Sequence, residues 1–227
     1  SNGTSETSNL NITVGGNLTI LAGGNINVSG KGYSSGYGPG VGTTPYGAGG
    51  YGGFAGDNCL SGCGWGSGGP SYGSMKEPTR LGSGSYSSGT GYGGGAVIIN
   101  VTGIANITGN ITARSITLGS QYASGSGGSI YLIAGSLVGI GTLDASASNS
   151  GYDNMAGGSG GRIAVHLTSG NSFDSVKFTA YGGRDSDGSH ASSAGTIWLK
   201  RASETYGELI VDNNNLTVNA NKTTMMT

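Results

Sequence analysis

The chain repeats one phrase, and the spacing of that phrase limits its possible folds more than any other feature. It reads GGAVIINV from Gly94, GGSIYLIA from Gly127, GGRIAVHL from Gly160 and AGTIWLKR from Ala194. The second glycine of each phrase falls at Gly95, Gly128, Gly161 and Gly195, at intervals of 33, 33 and 34 residues. A looser copy, GGNLTILA, starts at Gly15. Self-similarity at such a period marks a repeat architecture. Within each phrase aliphatic residues alternate, the period-2 pattern of a strand with a buried face. The spacing predicts parallel strands in register, with Val97, Ile130, Ile163 and Ile197 stacked about 4.8 Å apart.

The sequence therefore predicts an all-β chain, a parallel β-helix (solenoid) of about four to five coils, as a single domain over residues 1–227. Residues 1–29 make an N-terminal coil. There Leu10, Ile12 and Val14, then Leu18, Ile20 and Ala22, then Ile26 and Val28 face inward in three blocks separated by Gly-Gly. Residues 94–227 supply repeat coils of about 33 residues. Their later inward positions include Ile107, Ile111, Ile116, Leu118, Leu137, Ile140, Leu143, Phe178, Val211 and Val218. Corner glycines are expected to serve positive φ. A β-sandwich with irregular strands is the alternative, disfavoured by the constant register.

Residues 30–93 break the pattern with a long Gly/aromatic-rich excursion carrying Tyr33, Tyr37, Tyr46, Tyr51, Phe54, Trp65, Tyr72, Tyr86 and Tyr92. It reads either as a flexible low-complexity linker or as an ordered layer over the coils. A linker has no use for nine aromatics, which favours the ordered layer. Those rings either pack on the coils or offer flat faces to sugars.

Only 9% of residues are charged and the net charge is −1, which leaves no basic face for nucleic acid. The glycines, 50 in all, lack a strict three-residue period, which excludes collagen. No apolar run is long enough for a membrane span, and no leader-like segment stands at Ser1. Nine asparagines lie in Asn-X-Ser/Thr: Asn2, Asn11, Asn17, Asn27, Asn100, Asn106, Asn110, Asn215 and Asn221. They are glycosylation candidates and point to an extracellular or cell-surface location. The competing explanation is that polar–aliphatic–polar is also what a half-buried strand requires. Cys59 and Cys63 are spaced for a disulfide across a turn, with free thiols or a metal as alternatives.

The phrases GGSIYLIAGSLVGIGTLDAS, GGSGGRIAVHL, AYGG and AGTIWLK followed by YGELIVDNN resemble the glycine-rich repeats of large secreted adhesin or surface-fibre proteins. Such repeats are commonly described as parallel β-helices, and the likeness runs from about Gly30 to Asn214. It implies an extracellular structural or adhesive glycoprotein, a segment or subunit of a filament, fibre or stalk. It carries no catalytic residue to transfer, and the residues themselves lead us to expect no cofactor and no metal.

The residues themselves offer few rivals to that reading. Arg184-Asp185-Ser186-Asp187-Gly188 is half of a calcium loop without its distal ligands, so an exposed turn is expected. Asp144, Asp174, Asp185, Asp187, Arg162, Arg184, His166 and His190 are the only catalytic material in the repeats and form no visible cluster, so no enzyme is expected. Thr108, Thr112 and Thr117 in one repeat, followed only by Thr142, do not make the flat threonine ranks of an ice binder. A carbohydrate-binding module or lyase-like β-helix remains the alternative. Alternation still runs close to both ends, so self-association through the terminal coils is expected, with glycans as further partners. Finally, Ile98, Tyr131, Ile133 and Trp198 form an outward apolar face that predicts a cover, from the excursion or a neighbouring chain.

Overall fold

The computed structural model describes residues 3–6, 9–43, 46–57, 66–86, 90–119, 123–151, 153–188 and 190–218. These hold strands, turns and irregular segments, and among them no helix is long and apolar enough to cross a membrane. The strands are β1 (Leu10–Val14), β2 (Leu18–Ile20), β3 (Asn25–Asn27), β4 (Gly91–Tyr92), β5 (Ala96–Ile107), β6 (Asn110–Thr112) and β7 (Ile116–Thr117). They continue with β8 (Ser129–Val138), β9 (Thr142–Asp144), β10 (Arg162–Leu167), β11 (Lys177–Thr179), β12 (Thr196–Lys200) and β13 (Glu208–Ile210).

The repeated phrase is β5, β8, β10 and β12, and the register is one phrase upon the next. Val97 pairs with Ile130, Ile130 with Ile163, and Ile163 with Ile197. These strands are the middle of a seven-stranded sheet in the order β1-β5-β8-β10-β12-β13, with β2 also on β5. A smaller sheet runs β11-β9-β6-β3. Both are parallel except where β13 turns antiparallel on β12. The inward residues of the two sheets meet in one apolar core: Val97, Ile99, Ile130, Leu132, Ile163 and Val165 from one side, Ile111 and Leu143 from the other. Each fully buried aliphatic side chain there contributes about 1.5–3 kcal/mol.

This topology overturns the expected parallel β-helix of four to five coils. The parallel strands are gathered into one sheet of seven and one of four, and the third sheet is a two-stranded antiparallel pair, β4 with β7. β5 and β8 run for 12 and 10 residues, longer than the short sides of a regular coil, and β13 reverses direction. The reason is physical. A constant period fixes which residue returns beside which in the sheet, but not the path taken between returns. Several expected inward residues also lie outside the core. Ile140 is 70% exposed, between Gly139 with φ 121° and Gly141, while Leu10, Ile116, Leu118 and Val211 are exposed as well.

The described parts of residues 30–93 are an ordered layer that runs along the stack. Gly32 N donates to the Gly93 carbonyl, Gly49 N to Ser124, Gly52 N to Gly160, and the Phe54 carbonyl accepts from Ser193 N. This one segment therefore crosses beside all four phrases. It can do so because backbone meets backbone. A Cβ on Gly128 would lie 2.0 Å from the Gly95 oxygen, and one on Gly52 would lie 2.2 Å from the Gly161 oxygen. Neither glycine has positive φ, and nor do the other glycines of the phrases. The expected corner role holds at turn glycines such as Gly23, Gly119 and Gly139, which have positive φ, whereas the phrase glycines exclude side chains by contact, not by backbone torsion.

Candidate functional site

The aromatics of the glycine-rich layer are mostly structural. Tyr51 is fully buried and Tyr33 nearly so. Tyr51 and Tyr72 pack with ring centroids 4.7 Å apart. The Ser129 hydroxyl donates to the Arg80 carbonyl at 2.6 Å, which leaves Tyr51 as donor in its 2.6 Å hydrogen bond to Ser129 Oγ. Burial pushes the Tyr51 phenol up to about 12 and raises Tyr72 well above the ordinary range. Tyr37 and Tyr86 keep exposed rings.

Arg162 holds this layer to the larger sheet. Its Nε and Nη2 donate to the Tyr72 carbonyl at 3.1 and 2.9 Å, and Nη1 donates to Thr196 Oγ1 at 3.0 Å. The guanidinium lies 5.5 Å from the Tyr51 ring centroid, a cation–π distance. Burial draws its ionisation downward, yet an arginine stays charged. The sequence offered Arg162 only as catalytic material, and the structure makes it a tie. A signal was available: its register partners Ser129 and Thr196, with Ala96 one strand further on, are all small and buried.

The outward apolar face is covered. Tyr131 and Trp198 are each 9% exposed, and they cluster with Ala164, Ile98, Ile133, Met75 and Leu209. Met75 comes from the glycine-rich layer and Leu209 from β13, while Lys76 Nζ sits 5.1 Å over the Trp198 ring. His166, 3.5 Å from the Tyr131 hydroxyl, is lowered in pKa by burial and by Lys200.

The remaining polar candidates are scattered, with one exception. Asp174 accepts from Gly139 N in a turn. Asp185, Asp187 and His190 converge, their ligand atoms all within 4.8 Å. The expected exposed turn is exposed at Arg184, Ser186 and Asp187, but Asp185 is buried, as is His190 beyond it. Asp185 Oδ2 lies 2.6 Å from His190 Nδ1 and Oδ1 accepts from His190 N, so the pair fastens the base of the loop. That internal pairing accounts for the convergence without an ion.

Of the sequons, Asn2 and Asn221 lie outside the described residues, as do Cys59 and Cys63 of the expected disulfide. Asn11, Asn17, Asn27, Asn100, Asn110 and Asn215 are exposed, and Asn106 is half-buried. All but Asn215 fall on or beside β1, β2, β3, β5 and β6, at one end of the stack. At that end β1, β2 and β3 each pair on one side only, among the described residues. Their inward residues Ile12, Val14, Leu18 and Ile26 are only half-buried.

A cleft of about 320 Å³ opens just past the ends of β6, β9 and β11. Arg114, Asn149, Tyr181, Arg184 and Asn214 line it, together with Ser146, Ala147, Gly182 and Leu216. Arg114 Nη1 pairs with Asp144 at 2.6 Å. Burial works to raise the Asp144 carboxyl, but the Ser146 hydrogen bonds and the Arg114 charge outweigh it and hold it below the usual range. Tyr181 is raised by burial and by the Asp212 and Asp144 carboxylates, so its hydroxyl stays protonated at neutral pH. Nothing in the spacing of the repeats announced this cleft. Compared with known protein families, curated proteins and solved structures, the chain finds no match.

Proposed function

We propose that the chain is an extracellular structural glycoprotein module, a subunit or segment of a surface filament, fibre or adhesin stalk that joins its neighbours end to end. The observation that carries this reading is the open strand end formed by β1, β2 and β3. Unpaired parallel edges above half-buried aliphatics are a template for further strands. Both sheets run through the molecule in the same direction. The larger ends on β1 and β13, the smaller on β3 and β11. Setting β1 of one copy on β13 of the next, and β3 on β11, would continue both sheets at once. Such a head-to-tail contact does not close on itself, and it generates filaments. The exposed sequons support an exterior location. The side chains of the strand-borne sequons, Asn11, Asn27, Asn100 and Asn110, stand perpendicular to the sheets, whereas the joint forms along the hydrogen-bonding direction.

Sedimentation velocity over a wide concentration range, with negative-stain microscopy of the same samples, tests the reading. The expected outcome is concentration-dependent growth into rods. Leu10→Lys with Leu21→Lys, at two exposed positions of the open end, should block growth without lowering the melting temperature. A parent chain that stays monomeric at high concentration defeats it.

A further inference from the structure

From the cleft beyond the smaller sheet we infer that the protein binds a carboxylated, uronate-type saccharide there. The inference stands on the cleft alone and not on the assembly proposed above. Its lining repeats from layer to layer: Arg114 follows β6, Ser146 follows β9, Tyr181 follows β11, and Asn214 follows on beyond β13. Backbone bonds tie these layers together, Ser115 N to the Ser146 carbonyl and Ala147 N to the Tyr181 carbonyl, with Gly182 N on Asn213 Oδ1. Layers spaced about 4.8 Å apart present equivalent positions at roughly the length of one sugar ring. An oligosaccharide lying across them meets a polar group at each step.

The chemistry of the lining selects the ligand. Tyr181 supplies an aromatic face and a protonated hydroxyl. Asn149 and Asn214 supply amide groups suited to sugar hydroxyls, and Asn149 is fixed by accepting from Arg184 N at 3.1 Å. The nearby carboxylates already take donors from the protein, Asp144 from Arg114 and Asp212 from Asn214 N. Arg184, by contrast, makes no ion pair among the described residues. A guanidinium fork matches a carboxylate in a bidentate pair. The loop that carries Arg184 is anchored on the buried Asp185–His190 pair, so the backbone that presents this cation is fixed before any ligand arrives.

Isothermal titration of the whole chain tests the inference with three probes: a uronate hexamer, the same hexamer with its carboxyls methyl-esterified, and sodium acetate. The expected result is binding of the free hexamer, at least tenfold weaker binding of the ester, and no competition by equimolar acetate. Arg184→Gln should weaken the hexamer at least tenfold and Tyr181→Ala by a similar factor, at unchanged melting temperature. Lys177→Gln, an exposed cation on β11 outside the cleft, should leave binding as it was. No binding of the hexamer overturns the inference, as does equal binding of the ester. So does loss of affinity in Lys177→Gln matching that in Arg184→Gln, which would reduce the effect to overall charge.

Discussion

At the scale of single residues, the most consequential is a buried arginine with a backbone carbonyl as its main partner. Arg162→Ala strands the Tyr72 carbonyl and opens a cavity, and about 3–5 kcal/mol of stability should be lost in chemical denaturation. Arg162→Met keeps most of the volume, so the loss should be smaller, about 1–2 kcal/mol. The two tyrosines beside it give a pH signature. Tyr51 and Tyr72 have folded-state values raised above the ordinary 10. Their contribution is complete below pH about 10 and is lost as pH rises through the folded values, because the unfolded chain releases these protons first. Absorbance titration should show the Tyr51 and Tyr72 phenols silent until the protein unfolds in alkali. Little of this was legible in the sequence. Arg162 sits in a repeated phrase like any other residue, and only the column of small buried neighbours reveals that it points into protein.

At the scale of elements, alternation and period said where strands begin and which residues face each other. Val97, Ile130, Ile163 and Ile197 lie in one row because the same phrase returns at a near-constant interval. The number of sheets, the length of β5 and the reversal at β13 were not legible, since they depend on what each connection packs against. Ile140 shows the limit: its alternation fits an inward position, but the glycines around it turn it to solvent. The role of the phrase glycines was equally hidden, because contact and torsion leave the same letter in the sequence. The difference is measurable. Gly128→Ala places a Cβ 2.0 Å from the Gly95 oxygen and should cost about 3 kcal/mol or more, since backbone cannot move aside as a side chain can. Gly16→Ala meets nothing within 4 Å and should change stability by less than about 1 kcal/mol, in the stabilising direction. Thermal melts of the two variants separate these outcomes.

At the scale of the whole molecule, two kinds of surface share one end. The strand-borne sequons of β1 to β6 and the open strand edges are neighbours, but they face perpendicular directions. Enzymatic removal of N-linked glycans from material made in a eukaryotic host should therefore leave rod formation unchanged, as read by sedimentation. Loss of rods on deglycosylation would place the sugars in the joint. The likeness to secreted fibre repeats suggested such a role from the glycine-rich phrases, whereas the uronate cleft depends on residues from successive layers that no single phrase contains.

The glycine-rich layer carries a mechanical implication. A tether pulling along the stack would load the parallel strands in the unzipping direction, where hydrogen bonds break one rung at a time. The segment from Gly32 to Phe54 lies alongside all four rungs, hydrogen-bonded to residues at or just before the start of each, and Arg162 clamps Tyr72 of the same layer to the third. Tension that would open one rung must also peel this strap, so neighbouring rungs share the load. A stretch of sequence that looks like slack then behaves as a tendon.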